Sequence, residues 1–324
     1  MTLLDEIKKP IAELFEGFKH AFEHALTSDN EILNAVFKHI LNKQGKQMRP
    51  IILLLAAEIV GKSNEKSITS AVSLELLHTA SLLHDDVIDE TYTRRGQAAA
   101  NANWGNKVAI LAGDYMLSKS LKYVATMNDI RILHAFAGIG QDLSSGEILQ
   151  LTNSKSLQQN EEDYFNIIKN KTAKLFAVCT QIGAMSANAN DEDLAQITQF
   201  GELLGICFQL KDDLLDYATN VEIGKPTMND IRDGKITLPL IVALQNAPDE
   251  ANKQIRQTLQ EKTFTDEKLS EIRQFVAQYG GISASKQRME MYSSKAHALL
   301  CQFPQSEARH AMELLLQYTT ARIQ

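Results

Sequence analysis

The chain has 324 residues, with 33 basic and 40 acidic side chains and a formal net charge of −7 at pH 7. This acidic balance argues against a nucleic-acid-binding protein, although it leaves an anionic ligand possible because local basic clusters and metals override net charge. The cysteines at positions 179, 207 and 301 are far apart and form no CxxC pair. We therefore expect neither a disulfide framework nor a zinc site.

The N-terminal region mixes acids and bases and contains no small-residue cleavage site, so no signal peptide is predicted. The best apolar run, residues 51–57, is far too short to span a bilayer. We expect a cytoplasmic protein without a membrane anchor.

Helical periodicity dominates the chain. After predicted helices near residues 30–43 and 50–60, apolar residues recur at three- and four-residue steps between Ile68 and Val87, with Asn64 or Ser67 as the N-cap. Further helices are predicted near residues 107–125, 130–150, 161–187, 236–246, 267–279, 282–301 and 305–322. Loops are predicted at residues 42–50, 93–97 and 220–239.

A second long helix is predicted over residues 191–219. Its Gly201 and Gly205 lie one turn apart and indicate close packing against another helix, although each weakens the helix in isolation. Strand signals are nearly absent, and no low-complexity linker or fixed-period repeat occurs. We expect one all-α domain over residues 1–324, a bundle of more than four helices.

Two acidic clusters of the same form end the two long predicted helices: DDVID (residues 85–89) and DDLLD (residues 212–216). The first and last acids of each cluster lie four residues apart, about 40° around a helix axis. Like charges at this spacing destabilise a bare helix, and Mg²⁺ would relieve the repulsion through its oxygen ligands. Because apolar residues flank both clusters tightly, we interpret them as metal sites rather than as a solvated acidic face.

Neighbouring polar residues extend both clusters. His78 lies on the same helix stripe as Asp85 and Asp89, and Gln209 shares a face with the second cluster. Two such helices facing each other would line a cleft with metal ligands on both walls. For His84, a structural role and a role in the site remain open.

A metal site of this kind needs an anion as its partner, and seven basic residues are candidates for binding it: Lys46, Arg49, Arg94, Arg95, Lys171, Lys225 and Lys235. Arginine binds phosphate oxygens bidentately and lysine acts as a point charge. For any one of these residues, a solvated side chain is the ordinary alternative. The segment GKQMRP (residues 45–50) is not a P-loop, because it lacks GxxxxGK[ST] and follows no predicted strand.

Several motifs in a fixed order resemble the trans-isoprenyl diphosphate synthase (polyprenyl synthetase) family, and within it the bacterial octaprenyl members. They are GKQMRP (45–50), LLHDDVIDE (82–90), RRG (94–96), NANWGNKVAILAGD (101–114), GEILQL (146–151), KTAKLF (171–176), FQLKDDLLD (208–216) and GKITLP (234–239). The resemblance implies an isoprenoid-synthase-type helical bundle around a central cleft, in a homodimer. It implies head-to-tail condensation of isopentenyl diphosphate with an allylic diphosphate, such as farnesyl diphosphate.

The resemblance also implies residue roles. Mg²⁺, three ions per site with diphosphate bound, would be held by Asp85, Asp86, Asp89, Asp212, Asp213 and Asp216. The allylic diphosphate would contact the first motif together with Arg94, Lys171, Lys225 and Lys235. Isopentenyl diphosphate would contact Lys46, Arg49, His78 and Arg95. The developing allylic cation would lie near Thr172 and Gln209. Gln47, where a basic residue is common, and GKPTMND (224–230), in place of a more glycine-rich form, depart from the pattern.

Product length is indicated by Ala80 and Ser81, five and four residues before Asp85. In short-chain members of the family, bulky aromatic residues in this region block the growing tail, so small residues here predict a long product. The resemblance to the octaprenyl members implies a length of about C40, for a quinone side chain. Such a product is apolar enough for transient membrane contact on release. A class I terpene cyclase and a non-catalytic regulatory subunit are the alternatives, but DDLLD replaces the cyclase NxxxSxxxE pattern and no predicted site residue is lost.

Overall fold

The computed structural model describes residues 2–42, 45–94, 96–153, 160–218, 227–261 and 263–321. Two compact units are present. The first comprises Met1–Gly140, Val178–Thr198 and Phe303–Leu314, and the second comprises Gln141–Ala177, Gln199–Gln302 and Leu315–Gln324. The predicted single domain over residues 1–324 stays a prediction, and each unit is described by itself.

Helices account for most of the described residues, which confirms the predicted all-α fold. Up to residue 126 they are α1 (Leu3–Lys8), α2 (Ala12–Ala25), α3 (Glu31–Asn42), α4 (Met48–Val60), α5 (Glu65–Ile88), α6 (Ala100–Trp104) and α7 (Asn106–Thr126), with a 3₁₀ turn at Lys9–Ile11. Beyond it they are α8 (Ile130–Asn153), α9 (Glu161–Ile168), α10 (Lys174–Ser186), α11 (Asp191–Asp216), α12 (Asn229–Arg232), α13 (Leu238–Asn246), α14 (Asp249–Glu261), α15 (Asp266–Gln278), α16 (Gly281–Leu300) and α17 (Glu307–Thr320).

The long helix α5 begins where the sequence predicts. The Asn64 side chain accepts a hydrogen bond from the Lys66 amide at 2.9 Å, and Ser67 Oγ accepts one from the Asn64 amide at 3.2 Å. The two predicted capping residues therefore act together as a reciprocal capping box, which satisfies amide groups that the first turn leaves without helical partners.

Five helices were not predicted: α1, α2, α6, α12 and α14, of which α12 lies inside the predicted loop at residues 220–239. Helix α2 carries buried Phe15, Phe18 and Phe22 at helical spacing, a pattern that was available in the sequence. The predicted helix over residues 161–187 is interrupted, because a π-helical turn, Lys169–Ala173, joins α9 to α10. No residue pattern predicted this turn.

The predicted loop at residues 93–97 contains a short hairpin. Strand β1 (Thr93–Arg94) pairs antiparallel with β2 (Gln97–Ala98), so Arg94 lies opposite Gln97. Gly96 between the strands has φ of +70°, a value that glycine adopts without the cost paid by other residues. The hairpin follows α5 directly and fixes the direction of Arg94.

Each unit has its own apolar packing. In the first unit, residues 50–57 of α4 are all buried. In the second unit, α9 and α11 share a buried cluster that includes Tyr164, Ile168, Ile206, Leu210 and Leu214. This cluster holds the second acidic motif in place. None of the described helices combines the length and apolarity needed to cross a membrane.

Candidate active site

The first acidic cluster lies at the C-terminal end of helix α5, and its three acids differ in exposure. Asp85 is half-buried, Asp89 is exposed at the C-cap, and Asp86 is only 3% exposed. Arg94 Nε donates to Asp86 Oδ1 at 2.7 Å, and Asn101 Nδ2 donates to the Asp86 main-chain oxygen at 2.9 Å. Burial raises the pKa of Asp86, while Arg94 acts in the opposite direction. The middle acid is therefore tied to the hairpin that follows the helix.

The structure brings together two of the residues predicted to bind isopentenyl diphosphate. Arg49 Nη1 donates to His78 Nε2 at 2.7 Å, which leaves the ring proton of a neutral His78 on Nδ1. Beside them lies a cavity of about 100 Å³ whose wall includes His78, Asp86 and Arg94. Glu75 also lines this cavity and was not predicted. Lys46 is described and exposed, whereas Arg95 and Lys225 lie outside the described residues.

The second acidic cluster, at the end of α11, also buries its middle acid. Asp212 is exposed, Asp216 is half-buried and Asp213 is 2% exposed. Tyr164 Oη donates to Asp213 Oδ2 at 2.5 Å, and Gln209 Nε2 donates to Asp213 Oδ1 at 2.8 Å. Burial raises the pKa of Asp213 to about 7, although these two hydrogen bonds oppose the shift. In both clusters the middle acid is thus held by side chains of its own unit.

Asp216 organises the segment after the second cluster. Its oxygens accept hydrogen bonds from the amides of Asn229 at 2.9 Å and Asp230 at 3.0 Å, which fixes the start of α12. Burial and the nearby Asp216 charge raise the pKa of Asp230 to about 6. Lys235, a predicted diphosphate ligand, donates its amide to the Asp230 oxygen at 2.7 Å and places its Nζ 3.0 Å from Asp233.

The π-helical turn carries two predicted site residues. Lys171 Nζ lies 2.9 Å from Glu147 Oε2, and Thr172 Oγ1 donates to Gln209 Oε1 at 2.8 Å. A Cβ atom at Gly205 would lie 2.6 Å from Ala173 Cα, so only glycine fits there without a shift. This contact confirms the close helix packing that was predicted at Gly205 and brings Thr172 within reach of Gln209.

The chain-length candidates lie on α5 before the acids. Ala80 is 2% exposed, and Ser81 Oγ donates to the His78 oxygen at 2.8 Å. His84 packs against α7, where its Nε2 lies 3.2 Å from the Ile110 oxygen, and a Cβ atom at Gly113 would lie 2.3 Å from that nitrogen. His84 therefore has a packing role between α5 and α7.

Comparison with known proteins gives the relationship directly. The polyprenyl synthetase family model matches residues 30–276 of this chain. The chain belongs to the polyprenyl synthetase family. It is a prenyltransferase of the long-chain trans-prenyl diphosphate synthase type.

Individual members of the family match almost the whole chain, in sequence or in structure. The octaprenyl diphosphate synthase of Escherichia coli strain K12 is 33% identical over 95% of this chain and 96% of its own. A Caulobacter crescentus polyprenyl synthase, complexed with calcium and isoprenyl diphosphate, superposes with a TM-score of 0.91 at 31% identity, covering 98% of each chain. A Bacteroides thetaiotaomicron geranylgeranyl pyrophosphate synthase has a TM-score of 0.85 at 38% identity, covering 99% of this chain and 100% of its own.

The acidic turns of this polyprenyl synthetase family member suit a hard divalent cation. Each turn offers accessible carboxylate oxygens, the donor type that Mg²⁺ takes in proteins. Nearby acids also contribute to the raised pKa values of Asp213 and Asp230, which shows that their ionised forms repel one another, a repulsion that a cation would relieve.

Proposed function

We propose that this protein is a Mg²⁺-dependent synthase that condenses isopentenyl diphosphate head to tail with farnesyl diphosphate. Its product would be all-trans octaprenyl diphosphate, C40, for a quinone side chain made in the cytoplasm. The observation that supports the proposal best is the repeated turn of three acids at the ends of α5 and α11, each with its outer acids accessible and its middle acid held by the protein.

The outer acids are the proposed metal ligands: Asp85, Asp89, Asp212 and Asp216. For the two middle acids we propose a role that differs from the predicted one. Asp86 and Asp213 are buried and already accept hydrogen bonds from side chains, so they orient neighbouring groups instead of binding the ion directly. When bound, Mg²⁺ would neutralise charge on the leaving diphosphate.

The basic residues complete the diphosphate site in this proposal. Arg94 and Lys171 each keep 36% of the side chain exposed while contacting a carboxylate, so both can turn toward an incoming diphosphate. Lys225 and Lys235 would add positive charge to the same group. Lys46, Arg49, His78 and Arg95 would bind isopentenyl diphosphate, for which the Arg49–His78 contact supplies a preorganised pair of donors.

Thr172 and Gln209 would stabilise the allylic cation that forms when the C–O bond breaks. Both present oxygen dipoles, and their mutual hydrogen bond fixes the direction of these dipoles. Neither oxygen is an ionised nucleophile, so the cation is stabilised without being trapped. The isopentenyl double bond then attacks C1 of the cation, and the released diphosphate accepts the proton that is lost.

A homodimer is part of the proposal. Helix α7 exposes apolar side chains along its length, among them Ile110, Leu111, Leu117 and Leu121, with Leu111 64% exposed. Contiguous apolar patches of this kind mark interaction sites in soluble proteins. We propose that a second copy of the chain covers this face.

The test is to incubate the purified protein with isopentenyl diphosphate, farnesyl diphosphate and Mg²⁺, then size the products. A C40 product supports the full proposal. A C20 product would support the second candidate, a geranylgeranyl diphosphate synthase, which the 38% identity to the Bacteroides structure favours. No product from the protein alone would favour a synthase that needs a second, different subunit, as the name of the Bacillus subtilis relative heptaprenyl diphosphate synthase component 2 suggests.

A further inference from the structure

A buried tyrosine closes a chain of hydrogen bonds that reaches the proposed cation site. Tyr164 is 3% exposed and donates to Asp213 at 2.5 Å. Asp213 accepts from Gln209 Nε2 at 2.8 Å, and Gln209 Oε1 accepts from Thr172 at 2.8 Å. Because each end of the Gln209 amide has a different partner, its orientation is fixed by Asp213 on one side and Thr172 on the other.

The π-helical turn makes this chain of hydrogen bonds possible. Asp213 and Gln209 lie four residues apart, on one face of α11. Tyr164 and Thr172 are eight residues apart, which in a regular helix would place them about 80° from each other. The π turn takes up one extra residue. Tyr164 and Thr172 are therefore related as residues seven apart, on nearly the same face, and both reach α11.

We propose that Tyr164 is a positioning residue for the reaction. Its hydroxyl holds the Asp213 carboxylate, which in turn holds the Gln209 amide against Thr172. This inference rests on the proposed function, in which Gln209 and Thr172 stabilise the allylic cation. Tyr164 itself is buried behind Asp213 and contacts no reacting atom in this scheme.

Removing the hydroxyl would leave a buried Asp213 oxygen without its donor. The carboxylate would then turn toward other donors, and the Gln209 amide would lose its fixed direction. Partners of this kind, which orient a ligand-contacting group from behind, typically change activity by about 10- to 100-fold when they are removed. The loss should fall on kcat, since substrate binding depends on the diphosphate ligands rather than on Gln209.

The experiment compares Tyr164→Phe with Tyr292→Phe. Phe165 lies between the two rings, with centroid distances of 5.3 Å to Tyr164 and 5.4 Å to Tyr292, so the control removes the same atom from the same aromatic cluster. We expect Tyr164→Phe to lower kcat by about 10- to 100-fold with both KM values nearly unchanged. Tyr292→Phe should keep wild-type kinetics, and thermal unfolding should show both variants folded.

A double-variant cycle separates positioning from general packing. If Tyr164 acts through Gln209, adding Tyr164→Phe to Gln209→Ala should lower kcat no further. The proposal is overturned if the two losses multiply, or if Tyr164→Phe keeps wild-type kcat. If Tyr164→Phe does not fold, Asp213→Asn must show the same loss in kcat and the same lack of additivity with Gln209→Ala. A wild-type protein without prenyl transfer activity would instead refute the proposed function.

Discussion

Replacing Gly205 by alanine should damage activity more than stability. The new methyl group would lie 2.6 Å from Ala173 Cα and 3.0 Å from Phe176 Cβ. Carbon atoms in contact normally lie about 3.5–4.0 Å apart, so α11 and the π-helical turn must separate by about 1 Å. The 2.8 Å Thr172–Gln209 hydrogen bond would then stretch beyond hydrogen-bonding range.

The stability cost of this change is small. Overpacking costs about 1–3 kcal/mol, whereas alanine stabilises a helix by about 1 kcal/mol relative to glycine. The net destabilisation is therefore about 0–2 kcal/mol. A misplacement of about 1 Å can cost about 10²-fold in rate. Steady-state kinetics and urea unfolding of the purified variant measure both quantities.

Gly138 provides the control for this prediction. No atom lies within 4 Å of a Cβ placed there, so Gly138→Ala should gain up to about 1 kcal/mol and keep wild-type kinetics. Wild-type kcat in Gly205→Ala would refute the argument that close approach of these helices sets the cation site.

Three further predictions address the acids and the product. Asp85→Ala should lower kcat by at least about 10²-fold through loss of a metal ligand, and near-wild-type turnover would refute that role. Ala80→Phe should shorten the product in a sizing assay, whereas unchanged length would exclude this position from chain-length control. Burial raises the pKa of Asp213 to about 7, so the folded metal-free protein retains a proton that the unfolded chain releases above its ordinary pKa near 4. Asp213 should therefore make stability fall as pH rises from about 4 to 7, by at most about 4 kcal/mol. In urea unfolding, Asp213→Asn should make this slope shallower and leave the part due to Asp230, whose pKa is raised to about 6.

The sequence predicted those parts of the structure that depend on local pattern. The cap at Asn64, the length of α5 and the end of α11 at Asp216 follow from spacing and capping chemistry, and all lie close to where they were predicted. The close approach at Gly205 was also predicted, because a glycine inside a long helix is unfavourable unless something packs against it.

The differences in burial and hydrogen bonding among the acids could not be predicted, because every acid in DDVID and DDLLD is an aspartate and has the same side chain. Asp86 accepts a hydrogen bond from an arginine eight residues further on, and Asp213 accepts one from a tyrosine 49 residues earlier. Such partners are set by tertiary packing. Tyr164 carries no motif of its own, and its position opposite Asp213 depends on a π-helical turn that periodicity does not reveal.

That turn makes chain length at residues 169–173 a functional property. Because the turn takes up one extra residue, deleting a residue there would let the run continue as a regular α-helix in which the side chains on either side keep their relation. Adding a residue would instead rotate every side chain before it by about 100° relative to those after it. Tyr164 and Thr172 would then no longer face α11 together, although both would still be present in the sequence. A lengthened variant would thus keep every proposed site residue and lose their alignment.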